Sequence, residues 1–212
     1  MYEDFETVIN GIIQCYHLTN EEWKQFRVQE SYDKSKINLK RRLVTDLEHH
    51  DEIYELIWSY RKFLMSRCQM FMGLLSELSV QDMHITCRTK QQNSVVYKVH
   101  NYIQNHAGGK VPINKCLNDL FGIRIILHKS LENREIIRYI NQRWPNLKCR
   151  DSSKDGYVAV HVYFHEDNYC FPWELQIWTQ AMELGNLESH RRYKQDYSIW
   201  EKQRSWRGAF LW

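Results

Sequence analysis

Residues 171–194 read FPWELQIWTQAMELGNLESHRRYK, and the first half of this stretch alternates as a strand does. Glu174, Gln176 and Trp178 fall on one face, and Trp173, Leu175 and Ile177 on the other. A carboxylate and an amide opposite a fully apolar face predict a strand that buries one side and offers the other to chemistry. After Thr179 the pattern turns helical towards His190, Tyr193 and Lys194. A strand bearing a carboxylate, followed by a basic helix, suits a site that handles phosphate.

Working upstream, strand and helix patterns alternate. Strands are expected at His84–Lys90, Phe121–Leu127, Leu147–Arg150, Val158–His165 and Phe171–Trp178. Helices are expected at Ser94–Gln104 and, capped by Ser130 and ended by Pro145, over Ile136, Ile137, Ile140 and Trp144. The implied class is α/β (α+β), a five-stranded mixed sheet flanked by helices.

The N-terminal part is helical. Phe5, Val8, Ile9, Ile12, Ile13 and Tyr16 form one stripe, and Thr19 with Glu22 reads as a capping box for a second helix through Trp23 and Phe26. A long helical region, Leu43 to Leu78, follows. No linker separates it from the strands, so these helices are expected to pack on the sheet. Between them Lys34, Lys36, Lys40, Arg41 and Arg42 put five cations within nine residues, read either as a solvated helix face or as a phosphate-backbone patch.

The bulk properties narrow the class. The 212 residues suffice for one domain with a real core, and 14% aromatics argue against disorder. A net charge of only +3 means that any nucleic-acid contact must be local. The six cysteines show no C-x-x-C pair or zinc spacing and are read as reduced thiols. With no apolar run of membrane length and an acidic start, MYEDFE, the expectation is a soluble cytoplasmic protein.

Four segments carry charged or aromatic side chains where a plain sheet would not. Arg88 and Lys90 share a strand face, and Ser94 and Lys98 lie one helical turn apart, away from the stripe Val95, Val96, Val99 and Ile103. Asp119 and Arg124 flank Gly122 at the start of a buried strand. Lys154-Asp155-Gly156-Tyr157 is a glycine turn, taken as mobile, that presents a ring and leads to His161. Glu174 and Gln176 complete the set. Arg88, Lys90, Lys98 and Arg124 suffice for a nucleoside triphosphate, and Asp119 with Glu174 could hold Mg²⁺. A carboxylate can also take the proton of a hydroxyl nucleophile. Taken singly, Arg88 with Lys90 could be an edge-strand pair, Asp119 with Arg124 a structural ion pair, and His161 and His190 ordinary histidines. Neither a Walker loop nor a kinase Gly-rich loop is present.

The order and wording of these segments resemble the synthetase domain of the RelA/SpoT family in its single-domain form, the small alarmone synthetases. The residues that carry the resemblance are R-x-K at Arg88 and Lys90, S-x-x-x-K at Ser94 and Lys98, and D-x-x-G-x-R at Asp119, Gly122 and Arg124. G-Y-x-x-x-H follows at Gly156, Tyr157 and His161, then E-x-Q at Glu174 and Gln176 and H-x-x-Y-K at His190, Tyr193 and Lys194. The match runs roughly from Leu78 to Lys194. It implies one synthetase domain over 1–212 with a nucleotidyltransferase-like fold: helices over 1–78, a catalytic core over 79–194 and a helical tail over 195–212. No hydrolase domain is expected upstream.

The resemblance implies transfer of the β,γ-pyrophosphate of ATP to the ribose 3′-hydroxyl of GDP or GTP. Arg88, Lys90, Ser94, Lys98 and Arg124 would hold ATP, with the arginines sandwiching adenine. Asp119 would coordinate Mg²⁺, and Glu174, beside Gln176, would assist the metal or deprotonate the hydroxyl. Tyr157 would stack the acceptor base, joined by His161, Trp178 and Lys154.

Two positions depart from the family's usual wording, E-x-Q-x-R-T and G-Y-R: this chain has Trp178 and Val158. Exchanging arginine for Trp178 trades a phosphate fork for an expected stacking surface. With V-H-V-Y-F and F-P-W-E-L-Q-I-W, the wording looks like the toxic branch of small alarmone synthetases, whose members pyrophosphorylate the 3′-CCA end of tRNA and are paired with an antitoxin. Lys40, Arg41 and Arg42, or Arg191, Arg192 and Lys194 beside His190, would then meet the RNA backbone. Synthesis of (p)ppGpp or of an adenosine alarmone, and an inactive nucleotide- or RNA-binding relative, are the other readings.

Overall fold

The structure, a computed structural model, describes residues 2–29, 37–77, 82–192 and 195. Lys34, Lys36, Tyr193, Lys194 and the tail 196–212, all named above, lie outside the described residues. Helix α1 (Tyr2–Gln29) and helix α2 (Asp51–Glu77) precede strand β1 (Met83–Thr89) and helix α3 (Gln92–Asn105). Then come the short helix α4 (Ile113–Cys116), strand β2 (Phe121–Leu127), helix α5 (Asn133–Arg143), and strands β3 (Lys148–Asp151), β4 (Val160–Phe164) and β5 (Trp173–Thr179). A last helix, α6, covers 183–192. The strands form one mixed sheet in the order β1-β2-β5-β4-β3, in which only β2 and β5 run parallel.

Alternation divides the sheet cleanly. Phe121, Ile123 and Ile125 of β2, Val160, Val162 and Phe164 of β4, and Trp173, Leu175 and Ile177 of β5 enter the main core with α1 and α2. Trp173 anchors this side: Tyr16 and Phe71 meet it edge-on, and its indole nitrogen donates to Tyr60 Oη at 3.0 Å. The opposite face carries Arg88, Gly122, Arg124, Glu174, Gln176, Trp178, His161 and Tyr163. All seven residues of β5 are buried, so both faces of this central strand are covered.

Several local expectations are corrected. Thr19 does not start a second helix: its hydroxyl donates to Cys15 O at 2.6 Å, and α1 runs unbroken through a buried Asn20. The helix expected from Leu43 is a 3₁₀ turn (Val44–Glu48) followed by α2, because Leu43 bridges Pro112 and Val44 N–H donates to Val111 O at 2.9 Å. Ser130 is not a cap. Leu131 packs on the core, so the chain turns helical only after Glu132, whose N–H donates to the Glu135 carboxylate at 3.0 Å. Among the described residues no helix is long and apolar enough to cross a membrane.

Candidate active site

Strand register brings the separated sequence segments into rows across the second face. Arg88 pairs with Gly122, Gly122 with Glu174 and Glu174 with Tyr163. The next row is Thr86, Arg124, Gln176, His161 and Arg150. At adjacent-strand spacing, Arg88 and Glu174 stand about 10 Å apart with only Gly122 between them. A Cβ built on Gly122 would meet nothing nearer than the Arg88 side chain at 3.9 Å, so the floor between cation and carboxylate is bare backbone.

At one end of the site Asp119 lies between two ammonium groups, Lys90 Nζ at 2.6 Å and Lys98 Nζ at 2.8 Å, with all three side chains mostly buried. Burial alone would raise the Asp119 carboxyl, but Lys98 and Lys90 outweigh it and hold it well below the usual range. Burial works against the Lys98 ammonium too, yet Asp119 keeps it above its ordinary value. Lys90, also beside Lys98 and Arg88, is pulled down by burial. Ser94 lies half-buried on α3 one turn before Lys98. Arg88 is exposed. Asp119 and Arg124 are therefore not an ion pair with each other.

At the centre, Glu174 Oε1 accepts from His161 Nδ1 at 3.0 Å and Tyr163 Oη at 3.1 Å, and Oε2 accepts from Gln176 Nε2 at 2.9 Å. Burial pushes this carboxyl up, but the His161 hydrogen bond prevails and holds it below its ordinary value. With its proton on Nδ1, His161 presents Nε2 as acceptor to Tyr157 Oη at 2.9 Å, and Tyr157 Oη in turn accepts from Trp178 Nε1 at 3.2 Å. Burial raises the Tyr157 phenol to about 12.

Arg124 donates to Gln176 Oε1 at 3.0 Å, lies 3.2 Å from His190 Nε2 and sits 3.6 Å over the Trp178 ring. Burial and the neighbouring Arg88 push its guanidinium down to about 10, so it stays charged at neutral pH. Trp178 is 1% exposed. It is therefore not the open stacking surface expected; Arg124 already covers its face.

The Gly156 turn is closed. Asp155 and Gly156 both have positive φ, and Lys154 and Tyr157 exchange two 2.9 Å backbone hydrogen bonds, which makes a two-residue hairpin turn. Lys154 points outward, its ammonium 3.8 Å from the Asp155 carboxylate. Lys40, Arg41 and Arg42 are not brought to the site. Their segment is bonded to Asn168, Ile113 and Asn114, beyond the end of β4 far from Tyr157. Arg191 and Arg192, both exposed, pair with Glu188 of their own helix.

Some participants were not anticipated. Tyr163 follows His161 by two residues, so strand alternation alone could have placed it on the same face as His161. Arg150 donates to Tyr163 Oη at 2.7 Å from β3. Arg61 of α2 donates to the Lys90 carbonyl at 2.7 Å, and Asn118 accepts from Lys98 at 3.2 Å. These last two are tertiary contacts without a sequence signal.

The carboxylates of the site are Asp119, engaged by Lys90 and Lys98, and Glu174, engaged by His161, Tyr163 and Gln176. Among the described residues no group of three or more His, Cys, Asp or Glu gathers as a ready metal cage. A hard cation that brings phosphate oxygens of its own needs only one or two carboxylates.

The family described as "Region found in RelA / SpoT proteins" matches residues 87–198, just over half of the chain. Among solved structures the chain is similar to small alarmone synthetase 1 from Bacillus subtilis, at 19% identity over 70% of this chain and 82% of that one, with a TM-score of 0.43. Small alarmone synthetase 2 from Bacillus subtilis matches at 20% identity over 69% and 83%, with a TM-score of 0.42. The Bacillus subtilis synthetase 1 bound to AMPCPP matches at 16% over 68% and 75%, with a TM-score of 0.35. No curated protein matches the sequence.

Proposed function

We propose, from the premise that this chain belongs to the RelA/SpoT family and is an enzyme of its pyrophosphokinase type, that it moves the β,γ-pyrophosphate of ATP onto the 3′-hydroxyl at the 3′-CCA end of tRNA. The observation that carries the transfer chemistry is the row Arg88–Gly122–Glu174: cation, bare backbone and ionised carboxylate on three adjacent strands. In this reading Lys90, Lys98, Arg88 and Arg124 take the triphosphate and adenine of ATP, with Ser94 beside Lys98. Glu174 receives the proton of the 3′-hydroxyl as the O3′–Pβ bond forms and the bond from Pβ to the AMP leaving oxygen breaks. Gln176 and His161 orient that carboxylate. Mg²⁺, which Asp119 would coordinate, would neutralise phosphate charge. Position and charge supply most of the rate in such transfers.

The choice of acceptor rests on the surroundings of Tyr157. Trp178, His161 and His190 meet its ring edge-on, and Lys154 turns outward. An aromatic surround of this kind suits a terminal base whose phosphates are bound elsewhere, for which exposed Lys40, Arg41 and Arg191 are available. On this reading the protein is one cytoplasmic synthetase domain that blocks translation as a toxin and is restrained by an antitoxin. A second reading, GDP or GTP as acceptor and (p)ppGpp as product, is favoured by Lys148 and Arg150, exposed and on the site face of β3, where they could hold free nucleotide phosphates.

The test is incubation with γ-labelled ATP and either deacylated tRNA or GDP/GTP. Label on tRNA supports the toxin reading, and label on guanosine nucleotide replaces it with alarmone synthesis. ATP binding without transfer to any acceptor would leave only an inactive binding module.

A further inference from the structure

We propose that Trp178 is a positioning residue that fixes Arg124 and Tyr157 at their working spacing before either substrate arrives. This rests on the reading above, in which Arg124 serves ATP and Tyr157 serves the acceptor.

Trp178 belongs to a small apolar cluster with Ile126, Ala159 and Tyr157 on the site face, separate from the main core behind the sheet. Its two polar-capable features have different partners. The ring face lies 3.6 Å below the Arg124 guanidinium, and the ring N–H donates to Tyr157 Oη at 3.2 Å. His190 stacks against the same indole, with planes 27° apart, and its Nε2 lies 3.2 Å from an Arg124 nitrogen.

Arg124 is thus held by a π-face, an amide oxygen and an imidazole. Among the described residues no carboxylate lies within ion-pair distance of it. A carboxylate would hold a guanidinium as firmly but would offset part of its charge, as Asp119 does for Lys90 and Lys98. An indole face orients the same group and leaves its charge in place. An arginine at this position would instead repel Arg124 and could not give Tyr157 an aromatic edge. One side chain therefore sets the donor-side cation and the acceptor-side ring against each other.

The contacts can be separated experimentally. Affinity for a non-hydrolysable ATP analogue is measured by calorimetry, and acceptor KM by label transfer to whichever of deacylated tRNA and GDP takes label. Trp178→Ala removes both contacts and should weaken analogue binding by about 3- to 30-fold while raising acceptor KM. Trp178→Phe keeps a ring under Arg124 but has no N–H, so analogue affinity should stay within about threefold of wild type while acceptor KM rises. A merely structural role would lower the melting temperature of both variants without separating the two substrates, and that result overturns the proposal. If Trp178→Ala does not fold, the split in Trp178→Phe decides; if neither acceptor takes label, analogue binding by Trp178→Ala and Trp178→Phe decides. Arg124→Ala serves as control. If it weakens analogue binding and Trp178→Ala does not, the positioning role falls alone; if it binds as wild type does, the ATP-side reading falls and takes this inference with it.

Discussion

Asn186 grips the backbone of Val158 at both ends, accepting from its N–H at 2.7 Å and donating to its carbonyl at 2.8 Å. The amide is completely buried, and it ties α6 to the strand entry directly after Tyr157. Asn186→Leu would leave both Val158 groups unpaired in an apolar place. The expected cost is about 2–5 kcal/mol, read by urea unfolding, with a raised acceptor KM from a loosened Tyr157. Unchanged stability would mean that water replaces the amide and the clamp is dispensable.

Asp119 is the shared counter-ion of Lys90 and Lys98. Asp119→Ala should abolish transfer, and because it strands two mostly buried ammonium groups it should also destabilise the fold by about 3 kcal/mol. Added ATP should then raise the melting temperature of Asp119→Ala more than that of wild type, since the triphosphate supplies the missing anion. An equal shift in both proteins would place the triphosphate away from these lysines.

Gly122 and Gly109 should respond oppositely. A Cβ at Gly122 has room, so Gly122→Ala should keep its stability, while the bulkier Gly122→Val should lower kcat/KM by roughly 10²-fold by filling the floor beside Glu174. Gly109 has φ +73°, and its Cβ would fall 3.0 Å from Thr45 and 3.1 Å from Ile103. Gly109→Ala should therefore lose about 1–3 kcal/mol with kcat unaffected in the folded fraction. Thermal melts and steady-state kinetics on both variants check the contrast.

The cysteines give a pH prediction. All six are free, and burial raises Cys116 and Cys170 to about 12 and Cys149 to about 11. Unfolded thiols ionise from about pH 9, and these folded ones only near 11–12, so ionisation favours the unfolded chain between those values. Stability should be unaffected by these groups below pH 9 and fall as pH rises from 9 towards 12. At pH 8 a thiol reagent should react slowly with the native protein and rapidly with six sites in denaturant. Rapid reaction of Cys116 or Cys170 in the native state would contradict their burial.

Much of the fold was legible because strand alternation is a local property. Phe121–Leu127 was read with its observed bounds, and the division of β5 into a core face and a chemical face follows from period-two geometry alone. The errors fall where distant contacts override local preference. Leu43 resembles a helix start until Pro112 takes its backbone, and Thr19 resembles a cap until its hydroxyl turns back to Cys15.

What the sequence by itself determined is sidedness along each strand: Glu174, Gln176 and Trp178 share a face because alternate residues of a strand must. Register and depth were decided only by the tertiary structure. Pairing β2 beside β5 puts bare Gly122 between Arg88 and Glu174, and Lys90 after β1 and Lys98 on α3 take Asp119 in place of Arg124. Trp178 makes the same point. Its face was fixed by period two, but whether that face is open or covered depends on Arg124, fifty-four positions earlier in the chain and a strand away. A local pattern cannot encode which distant side chain will lie across it, because that is set by the energy of the whole packed sheet.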